Sequence, residues 1–135
     1  MGAKMVLILE DDPVVASLYN NFLLMMAQQV EIYDSAEAAL RAFRAAPSIY
    51  RHAILDVFLP DQGTDGLTVA LQLREIKPHL PILFATGLDD SINEARLRKV
   101  GMYLRKTSLV PVIQAALTEL IYGEPPDGYP DSLLE

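Results

Sequence analysis

The chain has 135 residues, 51% of them hydrophobic, a formal charge of −7 and no cysteine. That is enough apolar material for one domain with a single core, and the missing cysteines exclude disulfide staples, thiolate metal sites and thiol nucleophiles. No run approaches the roughly 18 to 20 continuous apolar residues of a membrane span, and the 11 Lys and Arg residues are too scattered to grip a phosphate backbone. A cytoplasmic chain is expected, with protein partners and neither nucleic acid nor membrane contacted.

The first apolar run, Met5-Val6-Leu7-Ile8-Leu9, is short and rich in branched side chains, and reads as a buried strand of a parallel sheet. It ends in three carboxylates, Glu10, Asp11 and Asp12. Asp12 can cap a helix that Pro13 opens and that runs to about Ala27, with Val14, Val15, Leu18, Phe22, Met25 and Met26 expected on its sheet-facing side. Val30 and Ile32 flank Glu31 in a short second strand, and Asp34-Ser35 then caps a helix from Ala36 to Ala46, ended by Pro47. A third strand, His52 to Val57, carries Asp56. A loop with Pro60, Gly63 and Gly66 leads into a helix from about Leu67 to Ile76, which stops before Pro78. The fourth strand, Pro81 to Ala85, ends at Thr86-Gly87. A more polar helix from Ser91 to Val100 has only a weak stripe of Ile92, Ala95 and Val100 and is expected to be the least firmly held element. The last strand, Met102 to Arg105, precedes Lys106, and a helix of roughly Pro111 to Ile121 follows. Residues 122–135 are rich in proline and glycine and read as a tail or linker beyond a domain of residues 1–121.

Five strands alternating with five helices imply right-handed parallel crossovers, and hence a three-layer, doubly wound α/β domain with a five-stranded parallel sheet. Ligands of such sheets bind beyond the carboxyl ends of the strands. Those ends should gather Glu10, Asp11, Asp56, Thr86 and Lys106. Clustered carboxylates repel one another and lose hydration when buried, which a hard divalent cation relieves. A hydroxyl can hydrogen-bond a phosphoryl oxygen, an ammonium can neutralise its charge, and one carboxylate is left free to act as nucleophile.

The segments Leu-Ile-Leu-Glu10-Asp11-Asp12-Pro13, Ile-Leu-Asp56-Val-Phe-Leu-Pro60, Ala-Thr86-Gly87 and Tyr103-Leu-Arg-Lys106, in this order and spacing, resemble the receiver domain of bacterial two-component response regulators, including the single-domain chemotaxis type. The resemblance covers Lys4 to Ile121. It implies a flavodoxin-like strand order 2-1-3-4-5. It also implies that Asp56 accepts a phosphoryl group from the phosphohistidine of a sensor histidine kinase or phosphotransfer protein. Asp11, Asp56 and the main-chain carbonyl of Phe58 would ligate Mg²⁺, with Glu10 acting through water. Lys106 would pair with the phosphoryl group and Thr86 would move inward to bond it. Tyr103 would change rotamer and report the state to a downstream protein on the face of the fourth helix, fifth strand and fifth helix. The chain would then act by switching contacts, without being an enzyme.

Taken singly, these residues have plainer readings: Thr86 a strand-end threonine, Lys106 a surface lysine, Tyr103 a core aromatic, and Asp61, Asp65, Asp89 and Asp90 caps or turn residues. His52 and His79 suggest no ligand or relay role. An alternative is a pseudo-receiver, a binding module of the same fold that is not phosphorylated. A third class is a Mg²⁺-dependent phosphatase of the haloacid-dehalogenase kind, which wants a second Asp two residues after its nucleophile, where Phe58 stands. Against the family pattern, Thr107 replaces the usual proline after Lys106, and a trans Lys106-Thr107 bond is expected because a cis one would cost about 3 kcal/mol. The connection at Gly101 is about two residues short and the loop Pro60 to Gly66 about two residues long, so the partner surfaces should have their own geometry. Phe58 and Leu88, each two residues past a site residue, are large and apolar. They are expected to hinder attack by water on an aspartyl phosphate and so slow its loss.

Overall fold

The computed structural model describes residues 4–60, 62–87, 91–106 and 108–123, with the backbone alone at 91 and 92. The expectations for Asp61, Leu88, Asp89, Asp90, the Ile92 side chain, the Lys106-Thr107 peptide and the segment after Gly123 lie outside the described residues.

Five strands, β1 (Met5–Leu9), β2 (Gln29–Tyr33), β3 (Tyr50–Asp56), β4 (Ile82–Thr86) and β5 (Met102–Arg105), form one sheet in the order β2-β1-β3-β4-β5. Every pairing is parallel. The helices are α1 (Pro13–Met25), α2 (Ala36–Ala45), α3 (Gly66–Ile76), α4 (Ser91–Arg98) and α5 (Val110–Tyr122). This is the expected flavodoxin-like α/β fold. Because side chains alternate along a strand, each central strand feeds two cores. Leu7, Leu9, Ala53, Leu55, Ile82 and Phe84 pack with α2, α3 and Leu97 of α4. Val6, Ile8, Ile54, Leu83, Ala85 and Leu104 pack with Tyr19 and Leu23 of α1 and Ile113 and Leu117 of α5. Burial on both faces is why β1 reads as an unbroken apolar run.

Asp12 caps α1 as expected, accepting from the Val14 N–H at 2.9 Å, with Pro13 in the first turn. The buried face of α1 is rotated from expectation. Ala16, Tyr19 and Leu23 are its buried residues, Val15, Leu18, Phe22 and Met26 flank them, and Val14 and Met25 are 76% and 78% exposed. An almost wholly apolar helix has no clear polar side to fix its rotation, so spacing alone misassigned those two. The helix ends at Met25 in a closed motif, in which Gln28 N–H donates to the Leu23 carbonyl and Ala27 N–H to Leu24. Ala27 holds the left-handed position at φ 60°. Glycine takes that conformation without steric cost, so Ala27→Gly is expected to gain about 1 kcal/mol, measured by urea unfolding.

Pro47, expected only to end α2, also opens a short 3₁₀ turn (Pro47–Ile49) before β3. In β2, Ile32 faces outward while Glu31 is half-buried and accepts from the Tyr33 and Tyr50 hydroxyls. On α4, Ala95 is exposed and Leu97 is the buried anchor, which corrects the expected stripe. The abrupt turn from α4 into β5 is held by Arg74, which donates to the carbonyls of Leu80 at 2.8 Å and Val100 at 2.6 Å. Gly101 lies so near β4 that a Cβ would stand 2.5 Å from the Ile82 carbonyl oxygen.

Candidate functional site

Parallel strands deliver their carboxyl ends to one edge, and that edge gathers the charges. Glu10 follows β1 directly and its N–H donates to the Tyr33 carbonyl; Asp56 is the last residue of β3 and Thr86 the last of β4. Lys106 follows β5, fixed by its N–H bond to the Thr86 carbonyl at 2.8 Å. Among the described residues, the buried polar or charged ones are Glu10, Asp56 and Thr86, which are 2%, 4% and 2% exposed. Among the described residues, a charge is shut away only where strands end.

Lys106 Nζ lies 2.7 Å from Glu10 Oε1 and 2.9 Å from Oε2, and donates to Asp56 Oδ2 at 2.9 Å. One ammonium thus joins two buried carboxylates. Burial alone would lower its pKa, but the bonds to Glu10 and Asp56 and their charges outweigh burial and raise it. Burial pushes the Glu10 carboxyl up to about 7, and the charge of Asp56 adds to the rise while Lys106 opposes it. A single positive charge therefore leaves the carboxylates under-neutralised.

Asp11 is exposed at the mouth, and one oxygen each from Glu10, Asp11 and Asp56 lie within 4.8 Å of one another. Three hard oxygen donors around an uncompensated negative charge suit a hard divalent cation. Phe58, which follows β3 by two residues, has a side chain 57% exposed. The Tyr103 hydroxyl on β5 is buried without a hydrogen-bond partner among the described residues, and its ring lies 5.2 Å from the Arg98 guanidinium. The edge thus brings together Glu10, Asp11, Asp56, Thr86 and Lys106, while Tyr103 stands one strand position earlier on the opposite face of β5 from Leu104.

Three neighbours escaped the sequence reading. Tyr19 is buried on α1 with a hydroxyl that has no hydrogen-bond partner among the described residues, and its pKa is raised by burial and then by the charges of Glu10 and Asp56. Gln62, in the long loop after β3, accepts from the Ala36 N–H at 2.8 Å and donates to the Asp34 carbonyl at 3.2 Å, tying that loop to the start of α2. Arg98 covers Tyr103 and also bonds Glu94. None lies in a motif; the extra length of the loop was the one visible signal for Gln62.

A doubly wound sheet with an acidic cradle and a lysine beyond its strand ends defines a phosphoryl-handling class of domain. The model of the response regulator receiver domain matches residues 6–118, and the chain belongs to that family. It is 35% identical over 123 residues to the response regulator protein FleR of Pseudomonas aeruginosa, covering 90% of this chain and 24% of FleR. It is 30% identical over 121 residues to the response regulator protein TodT of Pseudomonas putida, covering 85% of this chain and 52% of TodT. The chain thus spans about a quarter and a half of these relatives. Among solved structures, a putative response regulator from Chloroflexus aurantiacus has 26% identity and a TM-score of 0.74, over 89% of this chain and 98% of that one. A response regulator receiver domain protein from Clostridium thermocellum has 22% identity and a TM-score of 0.74, over 87% and 94%. This is a receiver domain of two-component signalling, a family in which phosphorylation on aspartate is typical, and the pseudo-receiver alternative finds no support. Receiver domains bind Mg²⁺ at an acidic pocket, meet histidine kinases or phosphotransfer proteins and downstream partners, and are generally non-enzymatic signalling modules. No helix among the described residues is long and apolar enough to cross a membrane.

Proposed function

We propose that Asp56 is the phosphoacceptor, and the observation that carries this is its placement. It is a buried carboxylate at the end of β3, held at 2.9 Å by Lys106 beside two further carboxylates. An Asp56 oxygen attacks the phosphorus of a phosphohistidine on a sensor kinase or phosphotransfer protein, the P–N bond breaks, and the imidazole takes a proton. Glu10, Asp11, Asp56 and the Phe58 carbonyl would hold Mg²⁺, which supplies charge neutralisation at the phosphoryl oxygens. Lys106 exchanges its bond to Asp56 for one to the phosphoryl group, and the Thr86 hydroxyl donates to another of its oxygens. Tyr103 follows by changing rotamer beneath Arg98.

The face of α4, β5 and α5 is the surface offered to a downstream protein, in a cytoplasmic domain of residues 1–121 that contacts no nucleic acid and has no turnover activity of its own. Tyr122, expected in the tail, closes α5, so the proposed tail or linker begins after it. Incubation with phosphoramidate and Mg²⁺ is expected to add one phosphoryl group by intact mass, and chelation of the metal to prevent it. No mass gain at any Mg²⁺ concentration would sink the reading.

The phosphorylated state is expected to persist, because the residues two positions after Asp56 and Thr86, Phe58 and Leu88, are large and apolar where the family resemblance implies that water is admitted. Phe58→Asn combined with Leu88→Glu should quicken loss of the phosphoryl group about tenfold, a barrier change of about 1.4 kcal/mol. An unchanged decay rate would remove shielding as the cause.

A further inference from the structure

The opposite end of the sheet carries the reverse charge. A cavity of about 580 Å³ opens where β3 begins and where the chain turns from α3 into β4, lined by Ser48, Arg51, His52, Lys77, His79 and the prolines of that turn. Arg51 and Asp56 are five residues apart on one strand, so the two sites are about 17 Å apart. None of the cavity's lining residues is a carboxylate, although the chain as a whole carries −7.

Among the described residues, Arg51 and Lys77 have no counter-ion. Arg51 is exposed and makes no ion pair among the described residues. Lys77 Nζ is anchored on the neutral carbonyl of Tyr50, and its pKa is lowered by burial and by the charge of Arg51. Burial, then Arg51 and Lys77, push His52 down to about 4, so its ring is neutral at physiological pH. His52 Nδ1 is closed off from solvent without a hydrogen-bond partner among the described residues. A buried lone pair is cheaper to leave unmet than a buried N–H, which favours the tautomer with its proton on Nε2 and gives the ring one donor. An anion would relieve the repulsion between Arg51 and Lys77.

We propose that this cavity binds the phosphate group of a small ligand, with Arg51 and Lys77 as its charged contacts and Ser48 and His52 as neutral donors. The guanidinium fork and the ammonium match a tetrahedral oxyanion, and the volume lies within the roughly 300 to 1,000 Å³ of small-molecule sites. A long polyanion is disfavoured by the negative charge of the rest of the chain. The cavity lies at the far end of the sheet from the acidic cradle, and its occupancy is independent of phosphorylation at Asp56.

The test is an amide NMR titration of the whole chain, without Mg²⁺, using AMP, orthophosphate and adenosine in parallel. Saturable shifts at Arg51, His52, Lys77 and His79 are expected with AMP and orthophosphate and not with adenosine. Tighter binding of AMP identifies an ester as the ligand; equal binding identifies free phosphate. Arg51→Ala, an exposed change that leaves the core alone, should weaken binding about tenfold, the worth of one charge-assisted hydrogen bond, and Arg51→Lys should lose less. Adenosine binding as well as AMP, shifts indifferent to Arg51→Ala, or no saturable shift at these four residues would overturn the proposal.

Discussion

Replacing Lys106 by methionine is expected to cost about 3 kcal/mol of stability at neutral pH in metal-free buffer, because it strands two buried carboxylates. Glu10 and Asp56 are 2% and 4% exposed, and their shared ammonium is 2.7 to 2.9 Å away. The loss should depend on pH. Folded Glu10 keeps its proton up to about 7 against an ordinary 4.5, so the folded state binds more protons than the unfolded one between those values. Stability therefore falls as pH rises through that window. Without Lys106 the fall steepens and reaches higher pH, and Mg²⁺ flattens it. Lys106 itself, with its pKa raised, contributes stability that is complete below its ordinary value and is lost at more alkaline pH. Urea unfolding of wild type and Lys106→Met at about pH 5.5 and about pH 8, each with chelator or Mg²⁺, measures all of this. A variant as stable as wild type at the higher pH without metal would show that the lysine does not compensate the acids.

Gly66→Ala should be nearly as damaging, at about 3 kcal/mol, and should also blunt phosphorylation. The first turn of α3 rests directly on the end of β3: a Cβ at Gly66 would stand 2.3 Å from the Asp56 carbonyl oxygen, 2.8 Å from Val57 Cα and 3.0 Å from the Asp56 carbonyl carbon. All three are backbone atoms, which cannot swing aside, so either α3 lifts or Asp56, the proposed phosphoacceptor, moves. The bond from Gly66 N–H to the Val57 carbonyl, now 2.9 Å, would break with the first of these. Denaturant unfolding gives the stability change, and the rate of mass gain with phosphoramidate reports the site. Wild-type values for both would mean that the contact is relaxed without consequence.

The sequence made the site legible because its residues sit at strand ends, where an apolar run stops and a charge begins. Glu10, Asp56, Thr86 and Lys106 needed only the topology to meet. The division of labour in the acidic run was also readable, since Asp12 precedes a proline and caps α1. What escaped was rotation and long-range contact. Val14 and Met25 fit a helical period, yet Ala16, Tyr19 and Leu23 face the sheet. Leu97, and not Ala95, anchors α4. Gln62 reaches residue 36 and Arg98 reaches the Tyr103 ring. No local pattern encodes such pairs, because each depends on how two separately formed elements dock. The intimacy of Gly66 with Asp56 is of the same kind: the glycine was visible as a loop breaker, its closeness to Asp56 was not.

The most direct test compares wild type with Asp56→Ala by intact mass after incubation with phosphoramidate and Mg²⁺. The wild-type chain should gain one phosphoryl group and Asp56→Ala none, with Asp11→Ala strongly slowed because a proposed metal donor is lost. An equal gain in Asp56→Ala would place the phosphoryl group on another residue and contradict the assignment of Asp56.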